Sequence, residues 1–279
     1  LGALQAVIAV RLTLALVLAL VATHAVNAAE LTDDERQWVA ENPTVSVGVV
    51  SDNEPYSFFR NGRMLGWTID VLERVEAETG LSFDLRMGTW PELFRSFRAG
   101  GIDALADISM TPEREAYIEF TDAYHQRRTV VFQNAETPLP EPVAIESLAK
   151  RSVGVIKDIY YIGALREAGI EPVEYDTYRD LVAALAFRWV DAAVAAEMTG
   201  NFFARENGFN SVAVAGPLPL AASATEDFRL GTLVANDEGG MLHGILAKGV
   251  AALTTDELAA ITARWLAYRE GRPPLGAPL

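Results

Sequence analysis

Two successive sets of alternating strand and helix signals constrain this chain more than any other feature of its sequence. The first set occupies residues 45–133 and the second residues 153–215. Between them, residues 135–142 contain three prolines and indicate a connector. Strands that alternate with helices pair in parallel, and helices then cover both faces of the sheet. The pattern therefore predicts two α/β lobes, each built on a parallel sheet.

The individual elements follow from the spacing of apolar residues and from the residues that end each run. Helices are predicted at residues 31–41, 67–79, 91–99, 161–168, 178–189, 197–206, 242–253 and 255–268. Strands are predicted at residues 45–50, 83–87, 102–108, 129–133, 153–156, 172–175, 192–195, 212–215 and 229–234. Thr32 and Glu35 form a capping-box pattern at the start of the leading helix. Because open α/β sheets bind ligands at the carboxyl ends of their strands, two facing lobes predict a cleft between them.

The first 28 residues differ from the rest of the chain. Residues 12–22 are almost entirely Leu, Ala and Val, they follow the basic residue Arg11, and small residues occupy the end of the segment. This order predicts a signal peptide over residues 1–28 and an exported, periplasmic protein. The alternative is an uncleaved N-terminal membrane anchor. The uninterrupted apolar run is shorter than the about 20 residues that span a bilayer, and no later segment is predicted to span one.

Composition excludes several classes of function. A net charge of −15 argues against nucleic acid and anionic lipid as partners. The chain has no cysteine, which excludes disulfides and thiol catalysis. After residue 28 the histidines are His125 and His243, and His125 is interpreted as a hinge or surface residue. We therefore predict no catalytic residue, no metal site and no cofactor.

Several short motifs occur in a fixed order along the chain. They are residues 45–49 (VSVGV), 55–58 (PYSF), 66–71 (GWTIDV), 100–104 (GGIDA), 107–124 (DISMTPEREAYIEFTDAY), 147–155 (SLAKRSVGV) and 189–193 (WVDAA). Together they resemble the bacterial family-3 extracellular solute-binding proteins, which are the amino-acid-binding components of ABC importers, and the related Venus-flytrap sensor domains. The resemblance implies a two-lobed, type II periplasmic-binding-protein fold whose cleft closes on a ligand.

The resemblance also implies a division of the chain. The expected parts are a leading helix at 29–42, a first lobe at 43–133 plus 223–268, a second lobe at 137–220 and a tail at 269–279. Two connecting strands are expected to form the hinge. The leading helix is similar to one that precedes the flytrap domains of sensor histidine kinases.

In the first lobe, Arg114 matches the family arginine whose guanidinium forks onto a ligand carboxylate. Ser109 matches the serine that helps to hold the same group. Asp107 is a departure from the family pattern. Its carboxylate could pair with Arg114 and neutralise it, or it could hold a ligand amine, and the sequence leaves both open.

Three further first-lobe residues, Asn53, Tyr56 and Trp90, come from loops that line the cleft in the family. Trp90 would supply an aromatic wall for stacking or a cation–π contact. For Tyr56 and Trp90, ordinary core packing is the alternative.

The second lobe departs further from the amino-acid binders. Where these have a turn rich in Gly, Thr and Ser, this chain has Lys157, Asp158, an isoleucine and Tyr160, of which Lys157 could supply charge. The family aspartate that binds the ligand amine falls at or near Ala196, beside Glu197. Glu197 could bind an amine from a shifted position, or it could simply favour the start of a helix.

Three functions remain open at this point. The first is a periplasmic binding protein that captures an amino acid or small carboxylate for an ABC transporter permease, which the absence of a membrane helix after the last residues favours. The second is the ligand-sensing domain of a membrane receptor or histidine kinase, which the leading helix favours. The third is a periplasmic dehydratase-like enzyme on the same fold, with Glu197 as its acid.

Overall fold

The computed structural model describes residues 29–220 and 227–269. The predicted signal peptide, the residues from 270 onwards and the start of the predicted return to the first lobe lie outside the described residues. Within the described part, no helix is long and apolar enough to cross a membrane. Two large sheets organise this part of the chain, and we call the parts built on them the first lobe and the second lobe.

The sheet of the first lobe has the order β5–β1–β6–β14–β7, with β8 paired to β14. Its strands are β1 (Thr44–Val50), β5 (Ser82–Gly88), β6 (Ala104–Ile108), β7 (Ile118–Phe120), β8 (His125–Gln126) and β14 (Asp227–Leu233). Strand β1 pairs in parallel with β5 and β6. Strand β14 comes from far along the chain and pairs antiparallel with β6 and β7. A late segment therefore completes the sheet that the first half of the chain begins.

The sheet of the second lobe has the order β11–β10–β12–β9–β13. Its strands are β9 (Thr129–Asn134), β10 (Val153–Ile156), β11 (Val173–Tyr175), β12 (Ala192–Ala196) and β13 (Val212–Pro217). The expectation of wholly parallel sheets is wrong, because β9 runs antiparallel to both its neighbours. The sequence assigns residues 129–133 to the first lobe, whereas the pairing of β9 lies entirely in the second sheet. The lobe boundaries as a whole remain predictions.

A small third sheet, which the sequence did not predict, lies beside the first. It has the order β2–β3–β4, where β2 is Asp52–Asn53, β3 is Ser57–Arg60 and β4 is Arg63–Leu65. Strands β2 and β4 are shorter than the four residues over which a period of two is recognised, and β3 (SFFR) does not alternate apolar and polar residues. The sheet matters for function because Asn53 ends β2 and Tyr56 lies in the turn between β2 and β3.

The eight predicted helices form close to their expected positions, and two further short helices, at Pro112–Glu115 and Ile145–Leu148, were not predicted. The helices are α1 (Asp33–Glu41), α2 (Trp67–Thr79), α3 (Trp90–Arg98), α4 (Pro112–Glu115), α5 (Ile145–Leu148), α6 (Ile162–Glu167), α7 (Tyr178–Ala186), α8 (Glu197–Glu206), α9 (Met241–Ala251) and α10 (Thr255–Arg269), with a 3₁₀ turn at Glu238–Gly240. The capping box of Thr32 and Glu35 is confirmed at the start of α1. Glu35 also pairs with Lys248 of α9, so the leading helix is fastened to the first lobe.

The two lobes are packed directly against each other. One continuous cluster of buried apolar side chains includes Phe97 and Leu105 of the first lobe and Phe132 and Leu185 of the second. A second cluster fills the other face of the first sheet. The α/β class with two sheets is confirmed, and the lobes meet in a closed arrangement.

Candidate functional site

A small cavity lies between the two lobes, where the carboxyl ends of their strands face each other. It is lined by Val50, Asn53, Trp90, Asp107, Ser109, Arg114, Arg127, Ile159, Tyr160 and Tyr178. Its volume is about 20 Å³, and a water molecule needs roughly 10–15 Å³ by this measure. In this closed arrangement the cavity has room for no molecule much larger than water.

Arg114 lies in this cavity wall and is 5% exposed. The backbone N–H of Arg114 donates to Thr111 Oγ1, which caps the start of the short helix α4. This cap fixes the backbone position from which the Arg114 side chain extends. The guanidinium donates from Nη1 to the Ser109 carbonyl at 2.9 Å and from Nη2 to the Asp158 carbonyl at 3.1 Å. Burial lowers the pKa of Arg114 to about 10, so the group stays charged at neutral pH. The family resemblance assigns the Arg114 guanidinium to a ligand carboxylate. Here the guanidinium donates instead to two backbone carbonyls, one from each lobe.

Trp90 reaches the same acceptor from the first lobe. Its indole Nε1 donates to the Asp158 carbonyl at 3.0 Å, and its ring stacks on Phe94. Asp158 has a φ of 57°, a left-handed conformation that is uncommon outside glycine and asparagine. The turn thus presents one carbonyl oxygen to two donors of the opposite lobe, and we call these two hydrogen bonds the Asp158 latch.

The hydrogen bonds of Asp107 run to Thr68 Oγ1 at 2.6 Å and to Tyr124 Oη at 2.8 Å, rather than to Arg114. Burial raises the pKa of Asp107 to about 6, against the lowering effect of those two hydrogen bonds and of Arg127. The sequence left a pairing with Arg114 open, and the geometry does not favour it. Whether Asp107 holds a ligand amine stays a prediction.

Arg127 is a cavity residue that the sequence reading missed. It lies in the crossover between β8 and β9 and is 7% exposed. Its Nη2 donates to Ser109 Oγ at 3.1 Å, so the Ser109 hydroxyl faces Arg127 while its carbonyl faces Arg114. A signal was present in the adjacent arginines before a buried strand. The pair alone does not tell which of the two side chains points inwards, because Arg127 and Arg128 lie between strands β8 and β9 rather than within a strand.

The remaining first-lobe candidates bridge the lobes by side-chain contacts. Asn53 is buried, and its Oδ1 accepts from Thr199 Oγ1 at 2.7 Å. Tyr56 is also buried, and its Oη lies 3.3 Å from the sulfur of Met198. Both residues were expected beside the cleft. Asn53 lines the cavity, whereas Tyr56 belongs to the aromatic core of the first lobe.

The second-lobe candidates separate into two groups. Tyr160 lines the cavity, and its hydroxyl lies 3.1 Å from Thr129 Oγ1. Lys157 is exposed and lines an open groove outside the cavity. Asp158 also lines that groove, and its backbone carbonyl forms the latch. Glu197 forms an ion pair with Arg128 at 3.0 Å and does not line the cavity. The structure therefore brings Tyr160, but not Lys157 or Glu197, to the predicted site.

A second contact between the lobes gathers buried carboxyl groups. Asp52 Oδ2 accepts from the backbone N–H of Tyr178, at the start of α7, at 3.1 Å. Burial raises the pKa of Asp52 to about 6. Glu54 is buried beside Arg60, which lies 3.7 Å away and also pairs with Glu206 of the second lobe. Burial raises the pKa of Glu54 to about 7.

We expect Glu54→Gln to change how stability depends on pH. Between the ordinary pKa of 4.5 and the folded value of about 7, the folded chain keeps a proton that the unfolded chain releases. The free energy of unfolding of the wild type therefore falls as pH rises through that window, by about 2 kcal/mol from this group. Urea unfolding should find the variant close to wild type at pH 5 and more stable at pH 8.

The matched control is Glu136→Gln, which removes an exposed carboxylate that pairs with Arg188. It should leave the pH profile within about 0.5 kcal/mol of wild type, as exposed ion pairs generally do. Parallel pH profiles for Glu54→Gln and wild type would contradict the buried-carboxyl interpretation.

The geometry and the order of motifs agree with one known family. Residues 45–268 match the family model of bacterial extracellular solute-binding proteins, family 3. The chain belongs to that family. The resemblance stated from the motifs is confirmed, and the family is one of binding proteins described as extracellular.

Two curated relatives of this family-3 protein represent two kinds of function. The virulence sensor protein BvgS of Bordetella pertussis is 26% identical over 235 residues, which cover 83% of this chain and 18% of the sensor. A probable histidine-binding protein of Campylobacter jejuni subsp. jejuni is 24% identical over 171 residues, which cover 59% of this chain and 64% of that protein. The chain thus spans less than a fifth of the sensor proteins that it matches.

A solved structure supports the fold. A histidine kinase sensor domain with similarity to periplasmic binding proteins is 26% identical, with a TM-score of 0.72, over 81% of this chain and 97% of that domain. The two-lobed flytrap fold of this family-3 protein is thereby confirmed. Both binding proteins and sensor domains are found among its relatives.

Proposed function

We propose that this family-3 protein is the ligand-sensing flytrap domain of an exported, periplasmic receptor, whose closed state is held by its own inter-lobe contacts. The observation that carries the proposal is the Asp158 latch. Trp90 and Arg114 both donate to one carbonyl of the opposite lobe, and the cavity that they line has a volume of about 20 Å³.

A latch made by the protein suits a sensor better than a carrier. A binding protein that serves a transporter must close only when ligand is bound, so its closed state should depend on contacts to the ligand. A sensor needs only two arrangements that a ligand binds with different affinity. The curated sensor relatives and the leading helix α1 are consistent with this proposal.

Capture for an ABC importer is the second candidate. Arg114 and Ser109 lie together in the cleft, as an amino-acid or carboxylate binder requires, and some relatives are named as amino-acid-binding proteins. The enzymatic alternative has less support, because it needs Glu197 inside the closed cleft and Glu197 instead pairs with Arg128.

The latch can be tested by measuring the distance between the lobes. Because the chain has no cysteine, single cysteines at Arg95 and Asp176 can carry spin labels without interference. These exposed residues line the same open groove from opposite lobes. We expect Trp90→Phe, which keeps the ring and removes the Nε1 donor, to lower the closed-to-open ratio about fivefold, the equivalent of one hydrogen bond of about 1 kcal/mol.

The control is Trp189→Phe, a change of the same kind at an exposed site in the second lobe. It should leave the distance distribution as in wild type. If Trp90→Phe and Trp90→Phe/Arg114→Gln both keep the wild-type distribution, the latch does not hold the lobes and the proposal fails.

The receptor assignment has a direct test in the coding sequence around this chain. A membrane-spanning helix and a kinase in the same reading frame would support the sensor. A frame without them, beside genes for a permease and an ATPase, would support capture instead.

A further inference from the structure

We infer that the cleft is built for a small dianion without an ammonium group, such as a dicarboxylate, and that Arg127 is its principal receptor. The inference rests on the proposed function, because it names the class of ligand that the flytrap would sense. It goes beyond the resemblance, which points to Arg114 as the carboxylate-binding residue.

The Arg127 side chain is buried in the wall of the cavity. Its guanidinium lies between the rings of Tyr160 and Phe228, at 5.3 and 5.1 Å from their centres. Nη2 donates to Ser109 Oγ, but Nε is buried and finds no hydrogen-bond partner among the residues that the structure describes. A buried cation with an unpaired donor is costly, and a bound anion would offset that cost.

The charged residues that line the cavity are mostly cationic. Two guanidinium groups, those of Arg114 and Arg127, line it together with a single carboxyl group, that of Asp107. Both oxygens of Asp107 already accept hydrogen bonds, from Thr68 and Tyr124. The two arginines repel each other, and the cavity carries an excess of positive charge. A ligand with two negative charges would satisfy both arginines.

The second lobe contributes no acidic side chain to the cavity lining that could bind a ligand amine. Its residues at the cavity are Ile159, Tyr160 and Tyr178, none of which is a carboxylate. Glu197, the acid that the sequence placed nearby, is held by Arg128 outside the cavity. An ammonium group would therefore be buried close to two guanidinium ions, with Asp107, whose oxygens already accept from Thr68 and Tyr124, as the one carboxyl group in the cavity lining, which is unfavourable.

The same geometry couples the ligand to closure. Arg114 Nη2 holds the Asp158 carbonyl, so an anion that takes this donor competes with the latch. Arg127 lies in the crossover that joins the two sheets, where a new contact bears on both lobes. Since the closed cavity admits little more than water, the ligand must bind with the lobes further apart than they are in the latched state.

The test is a titration of the full 279-residue chain by calorimetry with three matched probes. Succinate has two carboxylates, L-aspartate adds an ammonium group to the same carbon chain, and 4-aminobutyrate carries a cationic aminomethyl group in place of one carboxylate. We expect succinate to bind at least tenfold more tightly than L-aspartate, and 4-aminobutyrate to bind most weakly. Binding of L-aspartate as tight as that of succinate, or no binding of succinate at 10 mM (about the limit of a useful affinity), would overturn the inference.

Two arginine variants test the receptor. Arg127→Gln should weaken succinate binding tenfold or more, while Arg128→Gln, which removes the same charge from the exposed neighbour, should change it less than twofold. Arg127→Lys keeps the buried charge and should fall between them. If the Arg127→Gln protein does not fold, the ranking of the probes on wild type and the Arg127→Lys protein still decides. Equal losses in the Arg127 and Arg128 variants would contradict the assignment.

The spin-labelled chain separates this inference from the proposed function. If an amino acid or amine binds and moves the lobes, sensing stands and the dianion class is wrong. If succinate binds through Arg127 and the lobe distance stays unchanged, the site stands and the sensing proposal is wrong.

Discussion

Gly66→Ala should lower the free energy of unfolding by about 3–5 kcal/mol, more than any other single-methyl change we consider. Gly66 has a φ of +136°, and a Cβ there would lie 2.0 Å from the carbonyl oxygen of Tyr56 and 2.9 Å from the Cα of Ser57. The neighbouring backbone cannot move aside easily. The Tyr56 carbonyl accepts from the Thr68 N–H, and the Pro55 carbonyl accepts from the Trp67 N–H.

The control is Gly62→Ala, another glycine with positive φ, whose Cβ would have no atom within 4 Å. It should cost about 1 kcal/mol, from the backbone conformation alone. Urea denaturation of the two variants checks the difference. Equal losses would mean that the contact with Tyr56 relaxes freely.

The Gly66→Ala variant should also bind its ligand more weakly than the wild type does. The segment after Gly66 carries Thr68, whose hydroxyl donates to the Asp107 carboxylate in the cavity lining. A shift there moves the cavity wall. Calorimetry with succinate on Gly66→Ala, at a temperature where the variant remains folded, should show weaker binding than on Gly62→Ala.

Trp265→Ala should lower the free energy of unfolding by about 3–5 kcal/mol, the usual cost of truncating a buried tryptophan. Trp265 is 2% exposed and packs edge-on against Phe58. Its indole Nε1 donates to Asp70 of α2 at 2.7 Å, while Trp67 of α2 donates to Thr262 of α10 at 3.0 Å. These two indoles fasten the last described helix to the first lobe from both sides.

The matched control is Trp189→Ala, because Trp189 is 72% exposed. This change should alter stability by no more than about 0.5 kcal/mol. Thermal and urea unfolding of both variants would distinguish them. A loss below about 1 kcal/mol for Trp265→Ala would show that α10 contributes little to the stability of the first lobe.

Much of the fold follows from local patterns that a sequence shows directly. The run of residues 45–50 became β1, the helical period of residues 67–79 became α2 with Gly80 as its left-handed end, and the capping box of Thr32 and Glu35 starts α1. Strand direction did not follow. Whether β9 pairs parallel or antiparallel depends on which sheet it joins, and that is set by contacts distant in sequence.

The candidate site was predicted in part. Six of the predicted site residues do lie around one cavity, namely Arg114, Ser109, Asp107, Trp90, Asn53 and Tyr160. The motif that contains Arg114 identified this region of the chain. Their ligand-binding roles remain predictions. Glu197 and Lys157 lie outside the cavity: Glu197 pairs with Arg128, and Lys157 lines the open groove.

By itself, the sequence determined that this chain forms two α/β lobes of a family-3 binding protein with arginine at the cleft. Only the tertiary structure decided what that arginine meets. The acceptor of the latch is a backbone carbonyl, 44 residues from Arg114 and 68 from Trp90. Because every residue has a backbone carbonyl, no pattern of side chains in the sequence predicts this acceptor. The inward turn of Arg127 likewise became visible only when both lobes were in place, because its surroundings come from Ser109, Tyr160 and Phe228 together.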